Sequence, residues 1–116
     1  MEVWFNPSCS KSRAARDRLD DAGIEHTLRR YLDDPPTAVE LRAALAALRH
    51  EPWDVARTAD PLARELGVAD LPHDPDVWIR LLVEHPQLIQ RPIVLAGDGR
   101  AWVARDDETL REITGA

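Results

Sequence analysis

Trp4-Phe5-Asn6-Pro7-Ser8-Cys9-Ser10-Lys11-Ser12-Arg13 is the stretch on which the reading of this chain turns. Met1 to Phe5 is short, apolar and closed by Asn6-Pro7, the pattern of a buried strand running into a turn. Ser10 to Ala22 then places Ala14, Ala15, Leu19 and Ala22 on approximately one helical face, with Gly23 at the stop position. Cys9 therefore stands at the first turn of a helix, where unpaired N–H groups point outward and the helix end carries about half a positive charge. A thiol there ionises more easily than one buried as a small hydrophobe. Lys11 and Arg13 add cationic charge, and the polar neighbours on both sides favour a reactive cysteine.

Working outward, Glu25 to Tyr31 mixes polar and apolar positions as a second strand, parallel to the first because a helix intervenes, and Asp33-Asp34-Pro35-Pro36 ends it. Thr37 followed by Glu40 has the form of a capping box, opening a helix with Val39, Leu41, Ala44, Leu45 and Leu48 as its apolar stripe. From Trp53 to Leu66 one or two short helices are expected, broken near Asp60-Pro61 and stopped at Gly67. Pro75 to His85 is a further helix, with Val77, Trp78, Leu81 and Leu82 facing inward. Arg91 to Ala96, Gly97-Asp98-Gly99 and Ala101 to Ala104 form an antiparallel hairpin, and a last helix runs from Asp106 to about Thr114. The order is β-α-β, a helical insertion, then β-β-α. That is an α/β, thioredoxin-like arrangement: a mixed four-stranded sheet flanked by helices, in one domain spanning residues 1–116.

The chain has 116 residues, 44% of them hydrophobic, which suits one compact core. A formal net charge of -6 argues against a nucleic-acid or anionic-membrane partner, since both need a basic footprint. The first residues lack the basic start and long apolar stretch of a signal peptide, and no run approaches a membrane span, so the expected location is the cytoplasm. Cys9 is the only cysteine, which rules out an internal disulfide and a CxxC dithiol; any oxidised state of Cys9 must be resolved by a thiol from another molecule. His26, His50, His73 and His85 are scattered, without metal-ligand spacing to Cys9, and no metal is expected. His85 sits at a helix end where it can serve the last carbonyls, and the tryptophans fall at core positions, with Trp4 near enough to the turn to shield the thiol.

Three segments together resemble one family: Asn6 to Arg13, Tyr31-Leu32-Asp33-Asp34-Pro35-Pro36-Thr37, and His85-Pro86-Gln87-Leu88-Ile89-Gln90-Arg91-Pro92-Ile93-Val94. In this order and spacing they resemble the thioredoxin-like arsenate reductases that draw electrons from glutathione and glutaredoxin. The resemblance implies that the Cys9 thiolate attacks arsenate, displacing an oxygen as water, and that glutathione or another low-molecular-weight thiol attacks the adduct, with no bound cofactor. It implies that Arg57, Arg91 and Arg105 hold the oxyanion, a role suited to the planar, permanently charged guanidinium. It implies a glutaredoxin-like partner protein and a cis peptide bond at Arg91-Pro92, with Pro92 presenting the Arg91 side toward the thiol.

The chain departs from the family pattern at Phe5, where many members carry His or another polar residue before Asn-Pro. The thiol is then left to the helix end, Asn6, Ser12, Arg13 and the arginines. It departs again at Asp106-Asp107 after Arg105, where the family commonly has proline; these carboxylates either pair with Arg105 or, the favoured reading, cap the last helix. Two other functions share the scaffold: a monothiol reductase acting on mixed disulfides, and a regulator resembling the Spx proteins, which bind RNA polymerase and keep a CxxC switch whose second position is Ser12 here.

Overall fold

A computed structural model describes residues 1–115. They fall into two compact units, the first made of residues 1–34 and from 91 onward, the second of residues 35–90.

In the first unit four short strands, β1 (Glu2–Trp4), β2 (Thr27–Arg29), β3 (Ile93–Leu95) and β4 (Ala101–Val103), lie in the order β2-β1-β3-β4. β1 runs parallel to β2, pairing Trp4 with Arg29, and antiparallel to β3, pairing Trp4 with Ile93. A parallel neighbour needs a crossover, which α1 (Ser10–Asp21) supplies. β3 and β4 close as a hairpin in which Gly97 and Gly99 take φ of 89° and 93°, values that an L side chain resists. The period-two alternation of β1 sends Val3 and Phe5 to one face, where they meet Val94, Ala15 and Leu19 of α1, Ala104, and Leu110 of α5 (Asp107–Thr114). Full burial of a side chain such as Leu19 contributes roughly 1.5–3 kcal/mol. Trp4 and Ile93, paired on the opposite face, are buried too.

Two expectations for this unit change. β2 is three residues long, shorter than the Glu25 to Tyr31 stretch, as suits an edge strand with Thr27 and Leu28 exposed. The inward face of α1 is Ser12, Ala15 and Leu19, while Ala14 and Ala22 are exposed. A serine holds the innermost position because its hydroxyl is bonded within the loop described below.

In the second unit α2 (Ala38–Leu48) opens with the capping box: Thr37 Oγ1 accepts from the Glu40 N–H at 3.1 Å, and Glu40 Oε1 accepts from the Thr37 N–H at 3.0 Å. A 3-10 turn at Pro52–Val55, α3 (Pro61–Glu65), a second turn at Val68–Asp70, α4 (Pro75–Glu84) and a third turn at Pro86–Leu88 follow. Leu41, Leu45, Val55, Trp78, Ile79, Leu82 and Leu88 are buried. Ile79 takes the inward place expected of Val77 and Leu81, which are half-buried, and Val39 is 77% exposed. Trp53 and Trp102 are likewise only half-buried: Trp53 stacks on His73 with ring centroids 4.3 Å apart, and Trp102 lies under the Arg100 guanidinium.

The element order, β-α-β, a helical insertion, then β-β-α, is that of a thioredoxin-like fold. Among the described residues no helix is long and apolar enough to cross a membrane.

Candidate active site

The loop that carries Cys9 is built from its own polar groups. Asn6 Oδ1 accepts from the Ser8 N–H at 3.0 Å, and the Asn6 carbonyl accepts from the Cys9 N–H at 3.0 Å, so Asn6-Pro7-Ser8 closes a tight turn. The backbone N–H of Asn6 donates to Ser12 Oγ at 3.3 Å, which ties the end of β1 to the first turn of α1. Arg13 Nη1 donates to the Pro7 carbonyl at 3.1 Å, and the Arg13 N–H to the Cys9 carbonyl at 3.0 Å as the first helical bond. Cys9 is thereby fixed as the N-cap of α1 in extended backbone geometry, with its side chain half-buried.

The thiol of Cys9 is held at about 7, below its ordinary value of 9.0. Burial acts in the opposite direction and pushes it up; the lowering comes from the Ser12 N–H, the Arg91 side chain, the Lys11 N–H and the Ser12 hydroxyl. These donors stabilise the large, soft thiolate anion. At neutral pH a substantial fraction of Cys9 is thiolate.

Arg91 and Arg105 are brought together. Arg105 Nη1 donates to the Arg91 carbonyl at 2.6 Å, and the Ala104 N–H donates to the Pro92 carbonyl at 2.9 Å. The Arg91-Pro92 peptide bond is cis, and Pro92 is buried. The bond from Arg105 to a main-chain oxygen is absent from the sequence reading. A backbone acceptor has no residue-specific signature, and nothing in the spacing marks it. Neither carboxylate beside Arg105 pairs with it: Asp106 Oδ1 caps α5 by accepting from the Thr109 N–H at 2.7 Å, and Asp107 bridges Arg18 of α1 at 2.6 Å and Arg111 at 2.8 Å.

Arg57 belongs to the second unit. Its N–H donates to the Leu88 carbonyl at 2.7 Å, next to the bridge between Ala56 and Ile89. Its guanidinium lies near Asp60, with Nε 3.9 Å from Oδ2, beyond hydrogen-bonding distance, and that buried Nε has no hydrogen-bond partner.

Phe5 is 2% exposed and belongs to the core of the first unit, with the Arg16 guanidinium 5.5 Å above its ring. The residue before Asn6 is therefore a packing residue, and the acidity of the thiol comes from α1 and Arg91. A cavity of about 640 Å³ lined by Met1, Arg16, Asp20, Ile24, His26 and Leu28 contains none of the groups around Cys9. Among the described residues no group of three His, Cys, Asp or Glu side chains is placed to hold a metal ion.

Cys9 thus caps the first helix of a thioredoxin-like sheet, and a cis-proline preceded by arginine stands just before β3. The ArsC family model matches residues 4–113, and the chain belongs to that family. It is 50% identical over 115 residues, 97% of each chain, to an uncharacterized protein from the glnII region of Streptomyces viridochromogenes. It is 38% identical over 118 residues, again 97% of each chain, to an arsenate reductase of Neisseria meningitidis. The solved structure of an arsenate reductase from Vibrio cholerae is similar with a TM-score of 0.89 at 34% identity, covering 97% of this chain and 98% of that one.

Proposed function

We propose that this protein reduces arsenate to arsenite through the Cys9 thiolate, with an external low-molecular-weight thiol as reductant and a glutaredoxin-like protein closing the cycle. The observation that carries this reading is the thiol itself, lowered to about 7 at the cap of α1 with the Arg91 side chain acting on it. A thiolate is the nucleophile, and a guanidinium beside it neutralises an approaching oxyanion. Over one turnover arsenate accepts two electrons from two thiols, which leave joined as a disulfide, while one oxygen departs as water. Cys9 supplies the first attack; as the only cysteine, it leaves the second thiol to another molecule.

Arg57, Arg91 and Arg105 are the three guanidinium groups that the family resemblance assigns to the oxyanion. The assignment of Arg57 is supported by its matching position and its unpartnered buried Nε. Asn6, Ser12 and Arg13 shape the loop that presents the thiol. We take residues 1–116 to act as one arsenate reductase-type domain, a reading supported by the continuous family match over residues 4–113. A reducing cytoplasm, where a lone thiol stays free, is the setting this chemistry needs.

The test is pH-dependent alkylation of Cys9 with and without arsenate, alongside arsenite production in the presence of glutathione and glutaredoxin. Arsenate should protect the thiol and arsenite should accumulate; Arg91→Ala should raise the thiol pKa and abolish protection. Protection without turnover would sink the reductase reading. Exchange with mixed disulfides but no oxyanion protection would favour the monothiol reductase instead, a reading that the apolar Phe5 supports.

A further inference from the structure

We propose that Arg105 is a positioning residue for the thiol: by holding the Arg91 carbonyl it sets the direction from which the Arg91 guanidinium reaches Cys9, before any anion arrives. This deepens the reading of Cys9 and Arg91 given above, but its test uses anion-free protein and can fail independently of arsenate reduction.

Proline has no N–H, so residue 92 offers the sheet no donor, and the carbonyl oxygens of Arg91 and Pro92 are anchoring points for this segment. Consecutive residues after β4 take them both: the Ala104 N–H holds the Pro92 oxygen at 2.9 Å and the Arg105 guanidinium holds the Arg91 oxygen at 2.6 Å. The second contact is a charge-assisted bond, shorter and stronger than a neutral one, and it is half-buried, where solvent competes less. Losing it frees the peptide plane from which the Arg91 side chain departs.

Arg105 is itself fixed to the helix that Cys9 caps. The residue after it, Asp106, caps α5, and Asp107 bridges to Arg18 of α1 at 2.6 Å. The contacts form a ring: Cys9 to α1, Arg18 to Asp107, Arg105 to the Arg91 carbonyl, and the Arg91 side chain back to Cys9. The groups that act on the sulfur from α1 are the Lys11 and Ser12 N–H and the Ser12 hydroxyl; from the segment before β3 it is Arg91. Arg105 is not among them, so its effect on the thiol must pass through Arg91.

The experiment is titration of the Cys9 thiolate, by absorbance and by alkylation rate, in protein freed of oxyanions. Arg105→Ala should raise the thiol pKa by about half a unit to one unit, which at pH 6 slows alkylation roughly threefold to tenfold. Arg105→Lys, which keeps one cationic donor for the carbonyl, should restore most of the acidity. In an Arg91→Ala background Arg105→Ala should add nothing further, as two residues acting through one contact require. An unchanged titration in folded Arg105→Ala, or full additivity with Arg91→Ala, overturns the proposal and leaves Arg105 as an anion ligand only. Thermal unfolding of each variant identifies any that has lost its fold, and the Arg105→Lys titration then decides: acidity short of the wild-type value by half a unit or more counts against the proposal.

Discussion

The backbone N–H of Asn6 and the hydroxyl of Ser12, six residues apart, are bonded at 3.3 Å inside the protein, and this one contact joins the end of β1 to the helix that Cys9 caps. Ser12 is wholly buried, and its hydroxyl also acts on the thiol.

Ser12→Ala removes the acceptor and leaves the Asn6 N–H buried without it. Urea denaturation should show a loss of about 1–3 kcal/mol, the cost of an unsatisfied buried donor. The same variant should titrate with a higher thiol pKa. A variant as stable as the parent would mean that water reaches the Asn6 N–H.

The lowered thiol makes stability depend on pH. The folded protein releases the Cys9 proton near pH 7, whereas the unfolded chain holds it to about 9, so between these values the unfolded state binds more protons. Stabilisation by the thiolate is complete above about pH 9 and is lost as pH falls through 7. Stability of the parent minus that of Cys9→Ser should rise across this window. Asp106 and Asp107, held below the usual carboxylate range by the Thr109 N–H and by Arg18, titrate at acid pH and do not contribute there. A flat difference would show that the folded thiol is not acidified.

Phe5→His places a polar nitrogen in the core beside Val3, Leu19 and Val94. The expected outcome is destabilisation of roughly 2–4 kcal/mol, from lost packing and an unpartnered polar atom, measured by chemical denaturation. Phe5→Leu, which keeps the site apolar, should cost less. If Phe5→His matched the parent in stability, the polar residue would have found a partner in the loop.

Thr37→Ala breaks the capping box of α2 and should cost about 1 kcal/mol, with Thr37→Ser close to neutral. Urea denaturation measures the loss, and a Thr37→Ala variant as stable as the parent would show that the box adds nothing to α2.

Local chemistry made much of this legible. The Asn6-Pro7 turn, the cap position of Cys9, the Thr37-Glu40 box and the Asp106 cap are each decided by side chains within a few residues of the backbone they serve. The inward face of α1 was less so, because a polar residue, Ser12, occupies a core position for the sake of a bond that the apolar pattern does not register. Least legible was the bond from Arg105 to Arg91: its acceptor is a main-chain oxygen, and the fold alone brings it within reach of a side chain on the far side of a hairpin.

The pairing of Trp4 with Ile93 also sets a sequence of events during synthesis. The strand leading into the thiol loop leaves the ribosome long before the antiparallel neighbour that flanks it, with Arg91 emerging just ahead of that neighbour and Arg105 after it. An unfinished chain thus carries Cys9 without the Arg91 side chain that helps to acidify it. The Arg91 contribution to its acidity is added only when residues 91–105 have been made and folded back beside β1. A product truncated before Arg91 should therefore hold a less acidic thiol than the full chain.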